Sequence, residues 1–388
     1  MRWEKRGSMR VLIMHNAIPE YRIPWFKIIN QSCEAKFVFT NYKLTQKLYH
    51  FDIDYQAIDD LNYLIMGQKQ AFIFDAYKVL SEMDSFDFVE FPPTDSIKEF
   101  LLSLLVMIKC KISHIKTGYF WEKWEAPLRK QPLKRRLINF LMNMAAGLIY
   151  RHADLIFAGS QSSREYFIKH GVEEEKIVVL PDACETPYCA AEDLRKKYGI
   201  TSDKKVILYF GRLLVQKGLH ILLDALNELP DKNDYVLIVA GDGENREHCE
   251  KLIAEYKLEN VIMCGWVNPN ERLNYFQSCD IFVFPGTFYE GRVDVWGLTL
   301  VEAIQNRKIV ISTTAVGSAK DLIKDGVNGY LLDAEDEKKL VYELADAIDK
   351  CDSTLKDKAA EYDENLSKKY SFANMAEVYV NEISEICK

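Results

Sequence analysis

Apolar and polar positions along the chain alternate between two kinds of stretch. Short runs of β-branched, aliphatic and aromatic residues stand at 10–16, 36–40, 86–91, 113–119, 154–159 and 176–181. Sharper runs follow at 205–211 (KVILYFG), 235–241 (YVLIVAG), 261–266, 281–286 (IFVFPG), 309–314 and 329–332. Near-continuous apolar runs of this length predict strands buried on both faces. The stretches between them, such as LHILLDALNEL after Gly218, repeat apolar residues at helical spacing. Strand and helix in alternation predict βαβ units, mostly parallel sheets and helices on both sheet faces. These twelve runs exceed what one doubly wound sheet holds, and the polar stretch 181–193, with Pro181 and Pro187, separates the first six from the rest. The fold class is therefore α/β, with two doubly wound domains over residues 1–185 and 186–370. Residues 371–388 are read as a final amphipathic helix, apolar at Met375, Val378, Val380 and Ile383, that packs back on the N-terminal domain.

Composition narrows the class. The chain has 388 residues, 48% of them hydrophobic and 28% charged, which fits folded globular domains. A net charge of −8 argues against nucleic acid as a partner. Nine cysteines, an odd number without a CxxC pair or zinc-site spacing, point to reduced thiols and a cytoplasmic setting. Residues 1–8 form a basic start without the apolar core of a secretory signal and read as an alternative start or as a non-native addition. The uncharged stretches 100–108 and 137–150 fall short of the ~20 residues that a bilayer span needs.

Ligands of doubly wound sheets sit beyond the C-terminal strand ends, so those ends carry the chemistry. The first is Gly211-Arg212 followed by Lys217-Gly218, two cations in a loop before a helix. Such a loop offers positive charge and free N–H groups together, which suits a diphosphate better than two solvated surface cations. The second is Gly241-Asp242-Gly243, where paired glycines allow close backbone approach or simply a tight turn. The third, Gly265-Trp266-Val267, offers either backbone groups near a base or a core tryptophan. The fourth holds Asp294 and Glu302 around Trp296-Gly297-Leu298-Thr299. A helix starting near Gly297 leaves the Leu298 and Thr299 amides free for phosphate oxygens. Glu302 then stands one turn further on, where a carboxylate accepts both hydroxyls of a ribose.

Taken together, GR-x4-KG, GDG and D-x-W-G-L-x3-E-A followed by VGSAKDLIKDGVNGYLL resemble the nucleotide-sugar site of retaining family-4 glycosyltransferases. The resemblance covers about Lys205 to Leu332. It implies the GT-B fold, two Rossmann-like domains facing across a cleft, and transfer of a sugar from a UDP-sugar or GDP-sugar to a hydroxyl acceptor with retention. By that resemblance Arg212 and Lys217 hold the diphosphate, and Gly211, Gly241, Gly243, Val267, Gly297, Leu298 and Thr299 shape the donor site. Glu302 holds the ribose and the first acidic residue faces the donor sugar. The family usually has Glu at that first position; here Asp294 has the right spacing, and Glu290 four residues earlier is the alternative. No metal is implied where Arg212 and Lys217 supply the positive charge.

The acceptor side resembles the family less. Pro19 and Glu20 stand where many relatives carry paired glycines, and FWEKW (120–124), with no histidine, follows the fourth run where many relatives carry one. Tyr21, Arg22, Trp121 and Glu122 are the acceptor-side candidates, with Arg22 offering its side chain to an anion. Five cations at Arg129, Lys130, Lys134, Arg135 and Arg136 precede the uncharged stretch 137–150. A solvated loop before a core helix explains them; so does contact of 129–150 with an anionic membrane, which suits a glycan or lipid-linked acceptor and a peripheral position on the inner face. Competing classes are a two-lobed sugar-binding protein, an epimerase or phosphorylase of the same fold, and a nicotinamide-dependent dehydrogenase, against which stands MHNAIPEYR in place of GxGxxG.

Overall fold

A computed structural model describes residues 9–41, 43, 55–94, 96–185 and 192–388. The basic start 1–8 and Pro187 lie outside the described residues, and the junction expected between 185 and 186 borders the undescribed 186–191. The first sheet holds β1 (Arg10–His15), β2 (Glu34–Phe39), β3 (Tyr63–Ile65), β4 (Phe88–Glu90), β5 (Lys116–Trp121), β6 (Leu155–Ala158) and β7 (Ile177–Val179). The second holds β8 (Lys205–Phe210), β9 (Tyr235–Ala240), β10 (Val261–Gly265), β11 (Ile281–Phe284), β12 (Ile309–Thr313) and β13 (Gly329–Leu332). Strand order is β3-β2-β1-β4-β5-β6-β7 in one and β10-β9-β8-β11-β12-β13 in the other, every ladder parallel. Each sheet reverses its winding at the first strand of its domain, beside which doubly wound folds place their ligands.

Two readings of the chain need correction. β3 is a strand that the apolar pattern did not announce, because its three residues, Tyr63 to Ile65, are too few to show a period. The run at 113–119 does not begin as a strand. Its first residue closes a long helix at Ser113, which His114 ends in a left-handed conformation (φ 55°), and β5 starts only at Lys116.

Among the helices that position the cleft and cover the first sheet are α1 (Ile23–Ser32), α2 (Ile97–Ser113), α3 (Leu133–Tyr150), α4 (Leu219–Glu228), α5 (Arg272–Ser278), α6 (Leu298–Gln305) and α7 (Phe372–Ile386). One face of the first sheet is covered by α2 and α3, whose Val106, Cys110, Ile149 and Tyr150 bury against Leu12, Val89 and Ile156. The opposite face takes α1 together with α7, which returns from the end of the second domain to bury Met375, Tyr379 and Ile383 over Phe26, Phe37 and Phe88. The Tyr379 hydroxyl donates to Oε2 of Glu90 at 3.0 Å on the central strand β4. Burial pushes the Glu90 carboxyl up to about 7, against the opposing pull of that hydrogen bond.

Loops from both domains meet at the strand ends. Trp296 Nε1 donates to the Asp182 carbonyl at 3.0 Å and Trp124 Nε1 to the Val295 carbonyl at 3.2 Å. Between them opens a cleft of about 960 Å³ lined by loops that follow β1, β5 and β7 on one side and β8 to β11 on the other.

Candidate functional site

The far wall of the cleft is built by the second domain. β8 ends at Phe210 and β9 at Ala240, and each strand runs out through a glycine. A Cβ on Gly241 would stand 1.9 Å from the Gly211 carbonyl oxygen, at a φ of 151° that side chains avoid. The two strand ends therefore touch, and only glycine lets the loops diverge around a ligand. The loop from β8 carries Arg212, exposed at the cleft, and reaches Lys217 in the turn before α4. Lys217 Nζ forms an ion pair with the carboxylate of Asp294 and lies over the Phe284 ring, 5.0 Å from its centroid. Asp294 itself is buried and lines the cleft.

Gly297, at φ 84°, opens α6. Its left-handed backbone turns the chain sharply, so that the N–H groups of Leu298 and Thr299 begin a helix whose first turn faces the cleft. One turn later Glu302 is 1% exposed and forms an ion pair with Arg272 of α5. Burial pushes the Glu302 carboxyl up to about 7 even though Arg272 pulls the other way. Arg272 also lies over the Phe210 ring, 5.5 Å from its centroid, and lines the cleft. Sequence reasoning missed Arg272; only its position at the start of an apolar helix sets it apart from other arginines. Val267 and Gly243 complete this wall. Glu290 stands in the exposed turn Tyr289–Gly291 at φ 50° and does not line the cleft, whereas Asp294 does.

The near wall differs from expectation at two of its four candidates. Tyr21 and Glu122 line the cleft. Arg22 is not available to an anion, because it is buried and both its terminal nitrogens are engaged. Its Nη2 donates to Glu122 Oε1 and Asp182 Oδ1, each at 2.5 Å, and its Nη1 to His15 Nε2 at 2.5 Å. The guanidinium also stacks over the Phe120 ring at 4.4 Å. Trp121 points to the other side of β5, as strand alternation requires, and packs on Tyr119 and Phe167 in the core. Glu122, one residue later, faces the cleft instead. Its carboxyl is raised well above the usual carboxylate range, first by burial and then by the neighbouring Asp182, with Arg22 opposing. His15 is pushed down to about 3 by burial and by Arg22, so its ring stays neutral, with Nδ1 toward the Ala17 carbonyl at 2.9 Å. His15 and Asp182 gave no sequence signal of their own, since each acquires its role only by contact with Arg22.

Comparison with known proteins gives these features a setting. Residues 190–368 match the family described as Glycosyl transferases group 1. An uncharacterised glycosyltransferase of Methanocaldococcus jannaschii is 24% identical over 326 residues, 82% of this chain and 72% of its own. The lipopolysaccharide 1,2-N-acetylglucosaminetransferase of Salmonella typhimurium is 25% identical over 235 residues, 56% of this chain and 60% of its own. Across eight of the curated relatives it matches, the chain spans between 34% and 72% of their length. Among solved structures, Anabaena HepE in complex with UDP and glucose superposes with a TM-score of 0.70 at 20% identity, covering 97% of this chain and 100% of that one. At that identity the likeness shows the fold.

Proposed function

We propose, from the match of residues 190–368 to the family described as Glycosyl transferases group 1 and from the GT-B fold of the described residues, that the protein moves a sugar, with retention, from a nucleoside diphosphate sugar to a hydroxyl acceptor. The observation that carries this reading is the convergence in one cleft of Arg212, Lys217, the first turn of α6 and Glu302. Cations and unpaired N–H groups stabilise a departing diphosphate, and a buried carboxylate one turn along takes the ribose hydroxyls. Arg212 and Lys217 hold the diphosphate, Glu302 the ribose, and Asp294 the donor sugar. Gly211, Gly241, Gly243, Val267, Gly297, Leu298 and Thr299 shape the donor pocket. On this reading the positive charge comes from protein groups and no metal is required.

The acceptor enters from the first domain, past Tyr21 and Glu122. Rate then comes from positioning the two substrates across the cleft and from closing the domains over them. A glycan or lipid-linked saccharide is the acceptor class, a reading that the lipopolysaccharide-directed name of the Salmonella relative supports. The basic cluster 129–136 suits a cytoplasmic, peripheral position at an anionic membrane.

The test is release of UDP or GDP from a panel of nucleotide sugars, with and without saccharide acceptors and lipid extract, and the anomeric configuration of the product. Acceptor-dependent release with a retained anomer is expected. Equal release without acceptor, or an inverted product, would overturn the reading.

A further inference from the structure

The outer face of the first domain is unusually apolar. On α2, Ile97, Leu101, Leu105, Ile108 and Ile112 succeed one another at steps of four, four, three and four, and are 46% to 80% exposed. The inward face of the same helix buries Leu102, Val106 and Cys110, so α2 is apolar on both sides. Beside it, α3 repeats the device: Leu133, Leu137, Leu141, Met144 and Leu148 form a second stripe, 54% to 80% exposed. The helix Phe72–Glu82 packs on the other side of α2 and adds Ile73, Phe74 and Tyr77, all exposed. Packing in the protein explains none of these side chains, and a contiguous exposed apolar face of three helices marks a docking surface.

Charge decides the occupant. Residues 97–150 contain ten Lys and Arg against three carboxylates, in a chain whose net charge is −8. Of those carboxylates Glu99 is buried, accepting from Thr40 and Ser96, and Glu122 lies in the cleft. Lys98, Lys111, Lys134 and Arg135 are exposed on the same two helices as the stripes. A second copy of the chain would bring like charges together across such a face. An anionic bilayer surface offers both the apolar interior for the stripes and phosphate groups for the cations, whose stems reach up to the headgroups. No helix among the described residues is long and apolar enough to cross a membrane, so α2 and α3 would lie in the plane of the interface.

We propose that α2 and α3 form a bilayer-inserting face that holds the protein on an anionic membrane through apolar side chains as well as charge. The proposal extends the peripheral position read above from the basic cluster, and differs from it in placing the anchorage in aliphatic stripes that include α2. Salt separates the two sources of binding. Vesicles with and without phosphatidylglycerol are floated with the full chain at low salt and at about 1 M salt, where the Debye length falls to about 3 Å. Wild type should float with anionic vesicles and keep a salt-resistant fraction. Changing Ile97, Leu101, Leu105, Ile108 and Ile112 together to Gln should remove that fraction, weakening binding by more than about tenfold, while the thermal shift given by a nucleotide sugar stays unchanged. As a gentler probe, Leu105→Trp should add a fluorescence component that lipids brominated on their acyl chains quench. Binding lost entirely at high salt, or no quenching beyond that of wild type in floated Leu105→Trp, would overturn insertion. A dimer in sedimentation that the five Gln changes dissolve, without flotation, would assign the face to a second copy instead. Flotation by a protein that binds no nucleotide sugar would leave this proposal standing and the glycosyltransferase reading refuted.

Discussion

Glu302 is the residue at which the fold and the proposed chemistry make conflicting demands. Ribose hydroxyls need an ionised carboxylate as their acceptor, yet burial holds the Glu302 carboxyl at about 7 in the free protein. If the donor binds only the ionised form, its apparent affinity scales with the ionised fraction. That fraction is about nine-tenths at pH 8 and about one-tenth at pH 6, so affinity should fall about tenfold, or ~1.4 kcal/mol, over that interval. The sign is fixed, since acid protonates the acceptor and weakens binding. The ligand should be an intact UDP-sugar or GDP-sugar, whose diphosphate diester does not titrate there, and titration calorimetry reads the affinity. Glu302→Gln should bind more weakly than wild type at the alkaline end and lose the pH dependence. It also leaves Arg272 without its anionic partner, so a melting curve at each pH separates loss of fold from loss of affinity. A flat wild-type profile, or the same slope in Glu302→Gln, would refute the assignment of the ribose to this carboxylate.

Neighbouring contacts set further expectations. Arg212→Ala should cost about 2–4 kcal/mol of transition-state stabilisation with the melting temperature unchanged, because a charged hydrogen bond to phosphate is lost from an exposed side chain; steady-state kinetics and a thermal melt read both. Lys217→Ala should lose as much turnover and also melt earlier, since buried Asp294 is left without its cation at a cost of about 1–3 kcal/mol. Asp294→Asn should damage transfer far more than Glu290→Asn, and the reverse ranking in turnover would move the donor sugar to the exposed turn. Glu90 has its folded carboxyl raised from 4.5 to about 7, so it adds stability below about 4.5 that is lost as pH rises through 7. Denaturant unfolding should therefore show wild type losing ~2 kcal/mol relative to Glu90→Gln between about pH 5 and pH 8.

The second domain was legible because its inner strands β8, β9, β11 and β12 are buried on both faces and appear as unbroken apolar runs, from KVILYFG to IVISTT. Its site residues stand in the loops and the first helical turns that follow those runs, so locating the strands also located Arg212, Lys217, Asp294 and Glu302. The first domain was harder. β3 is too short for a period, and α2 hid the start of β5 because a helix apolar on both faces and a buried strand both appear as continuous hydrophobicity. Arg22 was noticed for the right reason, as a cation after the first strand, and given the wrong partner. Its carboxylates, Glu122 and Asp182, lie 100 and 160 residues away, and no local pattern encodes such a meeting. Arg272 and Glu302 meet over thirty residues in the same way.

The return of α7 to the first domain carries a consequence for biosynthesis. The first domain's sheet is complete by Val179, but the helix that covers half of one face, and the hydroxyl that meets Glu90, arrive only with residues 372–386. At roughly 5–20 residues per second a ribosome needs about 10–40 s to make the intervening chain. Throughout that interval Phe37 and Phe88 have no Tyr379 or Ile383 above them. The domain made first is thus finished last, and until then it presents an apolar face to whatever attends the nascent chain.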